Sequence, residues 1–366
     1  MLINSYDFFK IYNLIYFCVA CWVVVSALSI EIKKDKLLQN KLGGYLTVLV
    51  LLFLTILVGF REYDVGTDTI NYYNYLWLGE SKVNFSNEFL FNLITFLLKE
   101  MNLNYNYFLL FISSIFYYFL YKALKNYADY YKVNLFFIFF TFLSFFFFLS
   151  MSINVIRQGV SLVILLLAYS LFCNNSADKR IFILIALALG FHSTSIIPFL
   201  IFLLSLIFLK INKIYFFVLI YFFSIFLSYY NFGLNNFSAL ILNFLGESRR
   251  SSYFLSMESD YEIGFKTNFV LFNTFFLILS LHIRNKLLNF DIKKNYDTLI
   301  IYYIVSSIFL FMAFQLPFSD RWGLFSWIVI PFLVAPIFYS PYIKGGIKLH
   351  FIFIFIFIFI GFKFYV

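Results

Sequence analysis

Residues 135–149 read Leu135-Phe-Phe-Ile-Phe-Phe-Thr-Phe-Leu-Ser-Phe-Phe-Phe-Phe-Leu149, and this stretch decides the class of fold. It carries no charge and does not alternate apolar with polar residues, so it cannot be a strand of a transmembrane barrel. Long uncharged apolar runs instead match helices crossing a hydrocarbon core about 30 Å thick. The rest of the chain repeats the pattern. Of 366 residues 63% are hydrophobic and 12% charged, against roughly 25% charged in a soluble domain.

The expected architecture is therefore an all-α, polytopic transmembrane helical bundle. We place about twelve spans, near 11–30, 43–60, 105–121, 133–150, 157–173, 181–191, 195–209, 214–230, 268–284, 297–314, 322–339 and 350–364. The first run lacks the basic flank and small-residue cleavage site of a secretion signal, so it reads as a retained span. The Phe/Ile alternation over 351–360 has period 2, but its length and flanks favour a last helical span. Cys18 and Cys21 form a Cys-x-x-Cys with no second pair nearby, so they read as small apolar residues and not as zinc ligands. The chain reads as a single integral-membrane domain over 1–366, with no separate soluble domain.

Loop charge sets the orientation. Most of the 27 Lys and Arg fall in loops 31–41, 122–132, 178–180, 210–213, 282–294 and 344–348. Cytoplasmic loops collect such residues, so the net charge of +9 reflects topology and not a nucleic-acid partner. To keep all six loops on one side, 85–98 must not cross fully, so it reads as a short re-entrant or interfacial helix. The run 181–209 must break near His192. Outer loops then lie near 61–88, 231–268 and 315–322, with both termini outside.

The polar residues at that outer face carry the functional information, because ionisable groups at lipid depth are costly and usually line a site. Arg61 opens Arg61-Glu-Tyr-Asp-Val-Gly-Thr-Asp-Thr, in which Gly66 permits a tight turn and Asp68 is a candidate helix cap. Read functionally, Arg61 faces an anion and Asp68 a sugar hydroxyl; read structurally, the two fasten a loop. Arg157 is an isolated cation with Asn154 and Gln158 beside it, either a snorkelling anchor or a binding group. His192 sits in Gly190-Phe-His-Ser-Thr-Ser, a polar break in an apolar run, with chemistry suited to a base or donor. Asp320 and Arg321 follow Pro317 between two spans. The charges at Glu247, Arg249 and Arg250 belong to the long outer loop, where a solvated run is the default.

Several chemistries are absent. There is no Gly-x-x-x-x-Gly-Lys-Ser/Thr loop for an ATPase, no His-Glu-x-x-His and no Gly-x-Ser-x-Gly elbow. Several arginines at an outer lipid boundary suit a lipid-linked diphosphate, which guanidinium groups grip in forked pairs.

Taken together, Arg61 with Val65-Gly-Thr-Asp-Thr and Tyr72, then Glu88, Asn154-x-x-Arg157-Gln158, Phe191-His192-Ser193 and Arg321 resemble the EpsG-like group of Wzy-type O-antigen polymerases. The chain departs from the commoner pattern after Glu88, where Phe89-Leu90 stands in place of a Pro-Gly. The resemblance implies a multi-pass glycosyltransferase of the bacterial inner membrane. Such an enzyme joins undecaprenyl-diphosphate-linked repeat units at the periplasmic face, with undecaprenyl diphosphate leaving. It further implies diphosphate binding by Arg61, Arg157 and Arg321, and Asp68 or His192 acting on the acceptor hydroxyl. Glu88, Asn154, Gln158 and Asp320 would contact sugar. No cofactor or metal is expected; a chain-length regulator is the protein partner it suggests. The alternatives from other classes are a flippase for the same lipid-linked unit, which should bring internal repeats, and an O-antigen ligase.

Overall fold

The computed structural model describes residues 2–33, 36–79, 88–209, 214–238, 263–344 and 349–365. Among these the chain is helical and has no β-strand, only an isolated bridge between Ile3 and Arg61. The helices are α1 (Ser5–Lys33), α2 (Lys36–Gly59), α3 (Thr67–Asn71), α4 (Phe89–Glu100), α5 (Tyr105–Tyr131), α6 (Leu135–Leu143), α7 (Phe146–Ile153) and α8 (Ile156–Asn174). They continue with α9 (Arg180–Phe191), α10 (Ile196–Leu209), α11 (Ile214–Tyr229), α12 (Thr267–Lys286), α13 (Phe290–Met312), α14 (Ser319–Trp327), α15 (Ile330–Val334) and α16 (Leu349–Tyr365). A π-helical turn, Tyr72–Trp77, continues α3. The alternating 351–360 stretch is helical, as its length suggests.

Among the described residues, seven helices are long and apolar enough to cross a membrane, or eight if α6 and α7 form one broken span. The expected count of twelve is not reached. The four remaining drafted spans are apolar helices, 180–191, 193–209, 214–229 and 350–364, each of 17 residues or fewer. At 1.5 Å per residue the shortest covers about 18 Å, well under the hydrocarbon thickness. The drafted span 133–150 is also not straight: α6 and α7 meet at 79°. Ser144 donates its hydroxyl to Phe140 O (2.8 Å), a back-bond that bends helices. Phe145 next to it is extended, so the helix restarts in a new direction.

The chain divides into two compact units, 1–197 with 334–366, and 198–333. In the first, α5 packs along α8 and α2, and α8 along α9. Two ends of this unit can be told apart. At one, Ser340 donates to Tyr131 O (2.8 Å), Tyr339 to Ala27 O (3.3 Å) and Asn174 to Asn126 O (3.4 Å). The basic loops following α5 and α8 belong to this end, as the loop-charge argument requires. At the other, the N-terminal Ile3 exchanges backbone bonds of 2.9 Å with Phe60 and Glu62, and Tyr105 donates to Thr69 O (3.1 Å). Helix α4 begins at Glu88 and runs back to Tyr105 at this same end. Its 12 residues rise about 18 Å, too short to cross the hydrocarbon core; of the expected stretch 85–98, residues 85–87 lie outside the described residues.

In the second unit, apolar helices are joined by polar groups that satisfy one another, the only tolerable state at lipid depth. Asn273, fully buried, donates to Ser307 (2.8 Å) and Ser326 (3.2 Å), accepts from Trp327 Nε1 (2.8 Å), and receives the Tyr303 hydroxyl on its carbonyl (2.9 Å). Arg284 grips Asp297 in a fork of 2.6 and 2.9 Å, binding α12 to α13. The outer-loop charges Glu247, Arg249 and Arg250 lie outside the described residues.

Candidate functional site

Three helix ends and one loop converge at the end of the first unit opposite its basic loops. Helix α9 stops at Phe191, and His192 takes an extended backbone before the 3-10 turn Ser193–Ser195. The expected break in 181–209 is thus present, and it frees the imidazole from the helix. Helix α7 stops at Ile153, Asn154 and Val155 turn the chain, and α8 starts at Ile156 with Arg157 in its first turn. Helix α4 starts after Glu88, whose backbone is left-handed (φ 55°, ψ 45°). A non-glycine residue there costs on the order of 1 kcal/mol, so a glutamate at this position is held by its side chain.

That side chain is the hub. Glu88 Oε2 accepts from Arg157 Nη1, and Oε1 pairs with His192 Nδ1 at 2.6 Å. Side-chain exposures of 11% for Glu88, 17% for His192 and 26% for Arg157 set the group below the surface without sealing it. Burial pushes the Glu88 carboxyl up, but the His192 hydrogen bond and the Arg157 charge together outweigh it, and the group is held below its ordinary range. An ionised carboxylate only accepts, so Nδ1 of His192 is the donor. In the neutral ring Nε2 then carries the lone pair.

Arg157 is fixed on further sides. Its Nε donates to the Tyr72 hydroxyl (3.3 Å), and the guanidinium lies over the rings of Tyr72 (5.0 Å) and Phe91 (5.7 Å). Among the described residues Nη2 has no hydrogen-bond partner. A cation clamped on one edge and open on the other is suited to an incoming anion.

The other expected site residues fall as follows. Asn154 lies at the α7–α8 break, and Gln158 is buried next to Arg157. Asp68 is half-buried in the first turn of α3; it is not the cap, since Gly66 holds that position. Gly66 does make the tight turn, at φ 98°. Arg61 is 1% exposed and spends its nitrogens on Val58 O, Val65 O (3.3 Å), Thr69 Oγ1 (3.2 Å) and Ile153 O (3.4 Å). Its polar atoms are thus all spent within the protein, unlike Nη2 of Arg157. Arg321 belongs to the second unit, where it stacks over Phe318 (4.6 Å), with Asp320 exposed beside it. Among the described residues no three of His, Cys, Asp and Glu cluster as ligands for a metal ion.

The sequence points to no more than a sugar contact for Glu88, and it singles out neither Phe91 nor the Thr69 hydroxyl as part of a site. The central role of Glu88 arises from partners 69 and 104 residues away, a pairing that no local pattern announces.

A family model described as EpsG family matches residues 44–366. No curated protein and no solved structure matches the chain.

Proposed function

The chain belongs to the EpsG family, a Wzy-like polymerase family, and from that premise we propose that it polymerises oligosaccharide repeat units carried on undecaprenyl diphosphate. The reaction takes place at the periplasmic face of a bacterial inner membrane. The observation that carries this reading is the Glu88 carboxylate held between Arg157 and His192 at the end of the first unit away from the basic loops.

The chemistry follows from that arrangement. A hydroxyl of the acceptor repeat unit attacks the anomeric carbon of the donor glycan. The bond from that carbon to the diphosphate oxygen breaks, and undecaprenyl diphosphate departs with the bonding electrons. The hydroxyl proton passes to Nε2 of His192, whose tautomer Glu88 sets through Nδ1. A positioned base of this kind contributes roughly 10²–10⁴-fold. The open edge of Arg157 meets the negative charge growing on the diphosphate, and such preorganised donors supply a large share of catalysis. Because Tyr72, Phe91 and Glu88 fix the guanidinium beforehand, little reorganisation is needed as the charge develops. Asp68, on the half-buried first turn of α3, contacts acceptor sugar.

The test is reconstitution of the purified chain in lipid nanodiscs with synthetic undecaprenyl-diphosphate-linked repeat units. A ladder of two or more repeats, with release of undecaprenyl diphosphate in equal number to the linkages made, is the expected product. A protein that moves the lipid-linked unit between leaflets without joining units would instead be a flippase. Transfer only to lipid A core would make it a ligase.

A further inference from the structure

Arg61 is a cation buried to 1% exposure, yet among the described residues no carboxylate pairs with it. Burial pulls its guanidinium down to about 10, so it is still charged at neutral pH. What compensates the charge is backbone. Val58 lies in the last turn of α2 and Ile153 is the last residue of α7, and both carbonyls point at Arg61. The C-terminal end of a helix carries roughly half a negative charge. One guanidinium thus joins two helix C-termini, each with carbonyls left unpaired by the end of its helix.

The third connection is Thr69 of α3, fully buried, which accepts from Arg61 Nη2 and donates to Ile153 O at 2.7 Å. Gly66 closes the same corner: a Cβ there would stand 2.6 Å from Ile153 O and 2.8 Å from Asn154 Oδ1. Two segments leave this knot. One runs three residues on from Thr69 to Tyr72. The other runs four residues on from Ile153 to Arg157. Those two side chains then meet, Arg157 Nε on the Tyr72 hydroxyl.

We propose that Arg61 is a positioning residue, a buried clasp across the ends of α2, α3 and α7 that sets where Arg157 and Tyr72 stand, and that it does not itself touch the lipid-linked donor. Its kinetic consequence rests on the polymerase reading; its structural consequence does not. Fixed geometry matters because a misplacement of about 1 Å in a catalytic group costs on the order of 10²-fold. Lysine cannot replace arginine here, since an ammonium is a point donor and the four acceptors lie around a planar fork.

The experiment uses the full-length chain in nanodiscs, comparing wild type with Arg61→Met, Arg61→Lys and the milder Thr69→Val. Hydrogen exchange is read at the bonded amides of Val65 and Thr69 on one segment and of Asn154, Val155 and Gly159 on the other. We expect about ten-fold faster exchange on both segments in each variant, as loss of one or two buried bonds implies. Acceleration confined to 62–72, with 153–159 unchanged, would overturn the clasp. In the polymerisation assay kcat should fall at least ten-fold with KM for the lipid-linked unit within three-fold of wild type. Thr69→Val should share the defect, and the double variant should lose less than the product of the two singles. A rise in KM at unchanged kcat, with Thr69→Val silent, would mean that Arg61 binds the donor and would equally overturn the proposal. If wild type makes no polymer, the polymerase reading fails, and the exchange data alone still decide for or against the clasp.

Discussion

Glu88→Gln is the most informative single change, because it keeps the shape of the hub and alters only what it accepts and donates. The carboxylate accepts from Arg157 on one oxygen and from His192 on the other. The amide has one acceptor oxygen and one donor nitrogen. If the oxygen stays with Arg157, the nitrogen faces Nδ1 of His192 and donates to it, and the ring proton moves to Nε2. The imidazole then presents a donor where the reaction needs a lone pair. Replacing a histidine-orienting carboxylate by its amide costs up to about 10⁴-fold in turnover, and a general base accounts for roughly 10²–10⁴-fold. The barrier should therefore rise by about 3–5 kcal/mol. The cost in stability should be smaller. Breaking a fully buried ion pair costs about 3–5 kcal/mol, but these side chains are 11–26% exposed and the amide retains a partner, so about 1–3 kcal/mol is expected. The assay is turnover of synthetic lipid-linked repeat units by purified protein, with thermal unfolding measured on the same preparation. Activity within three-fold of wild type, in a variant shown to be folded, refutes the role given to Glu88.

Four other outcomes follow from the same geometry. Arg157→Lys should lose at least ten-fold in kcat, because an ammonium cannot reach Glu88 and Tyr72 together while stacking on Phe91; a wild-type rate would leave Arg157 a mere anchor. The Glu88 carboxyl titrates below its ordinary 4.5, so its contribution to stability is complete above that pH and is lost as pH falls through the lowered value. The gap in unfolding temperature between wild type and Glu88→Gln should accordingly hold steady from pH 7 to about 5 and close in stronger acid; a gap that widens toward acid contradicts the assignment. Gly66→Ala should destabilise by about 1–3 kcal/mol, since the backbone is left-handed and the new methyl meets Ile153 O and Asn154; unchanged unfolding would show that the corner relaxes freely. Asn273→Ala should cost about 1–3 kcal/mol by stranding Trp327 Nε1, while Ser307 and Ser326 keep their bonds to Tyr303 O and Gly323 O, with the loss read as a lower unfolding temperature.

What could be seen in the sequence was governed by range. The apolar runs and the break at His192 are local, and both stand in the structure; the shortness of α4 agrees with the loop-charge reading. The bend at Ser144–Phe145 was not legible, because a serine inside an apolar run is equally compatible with a straight helix. Arg61 and Arg157 look alike as text, each an arginine at the edge of an apolar run. Only packing separates them, one enclosed by carbonyls and the other open on one edge. Glu88 was undervalued for the converse reason: its meaning lies in residues that the chain supplies much later.

That lateness has a consequence for synthesis. Arg157 follows Glu88 by 69 residues and His192 by 104. At about 5–20 residues per second, the acid waits roughly 5–20 s for its second companion. A lone carboxylate cannot rest in hydrocarbon for that time, whereas one placed on a short helix that never enters the far leaflet can stay hydrated until α9 has been inserted. At 12 residues α4 is too short to span hydrocarbon, which suits an acid whose companions are made so much later.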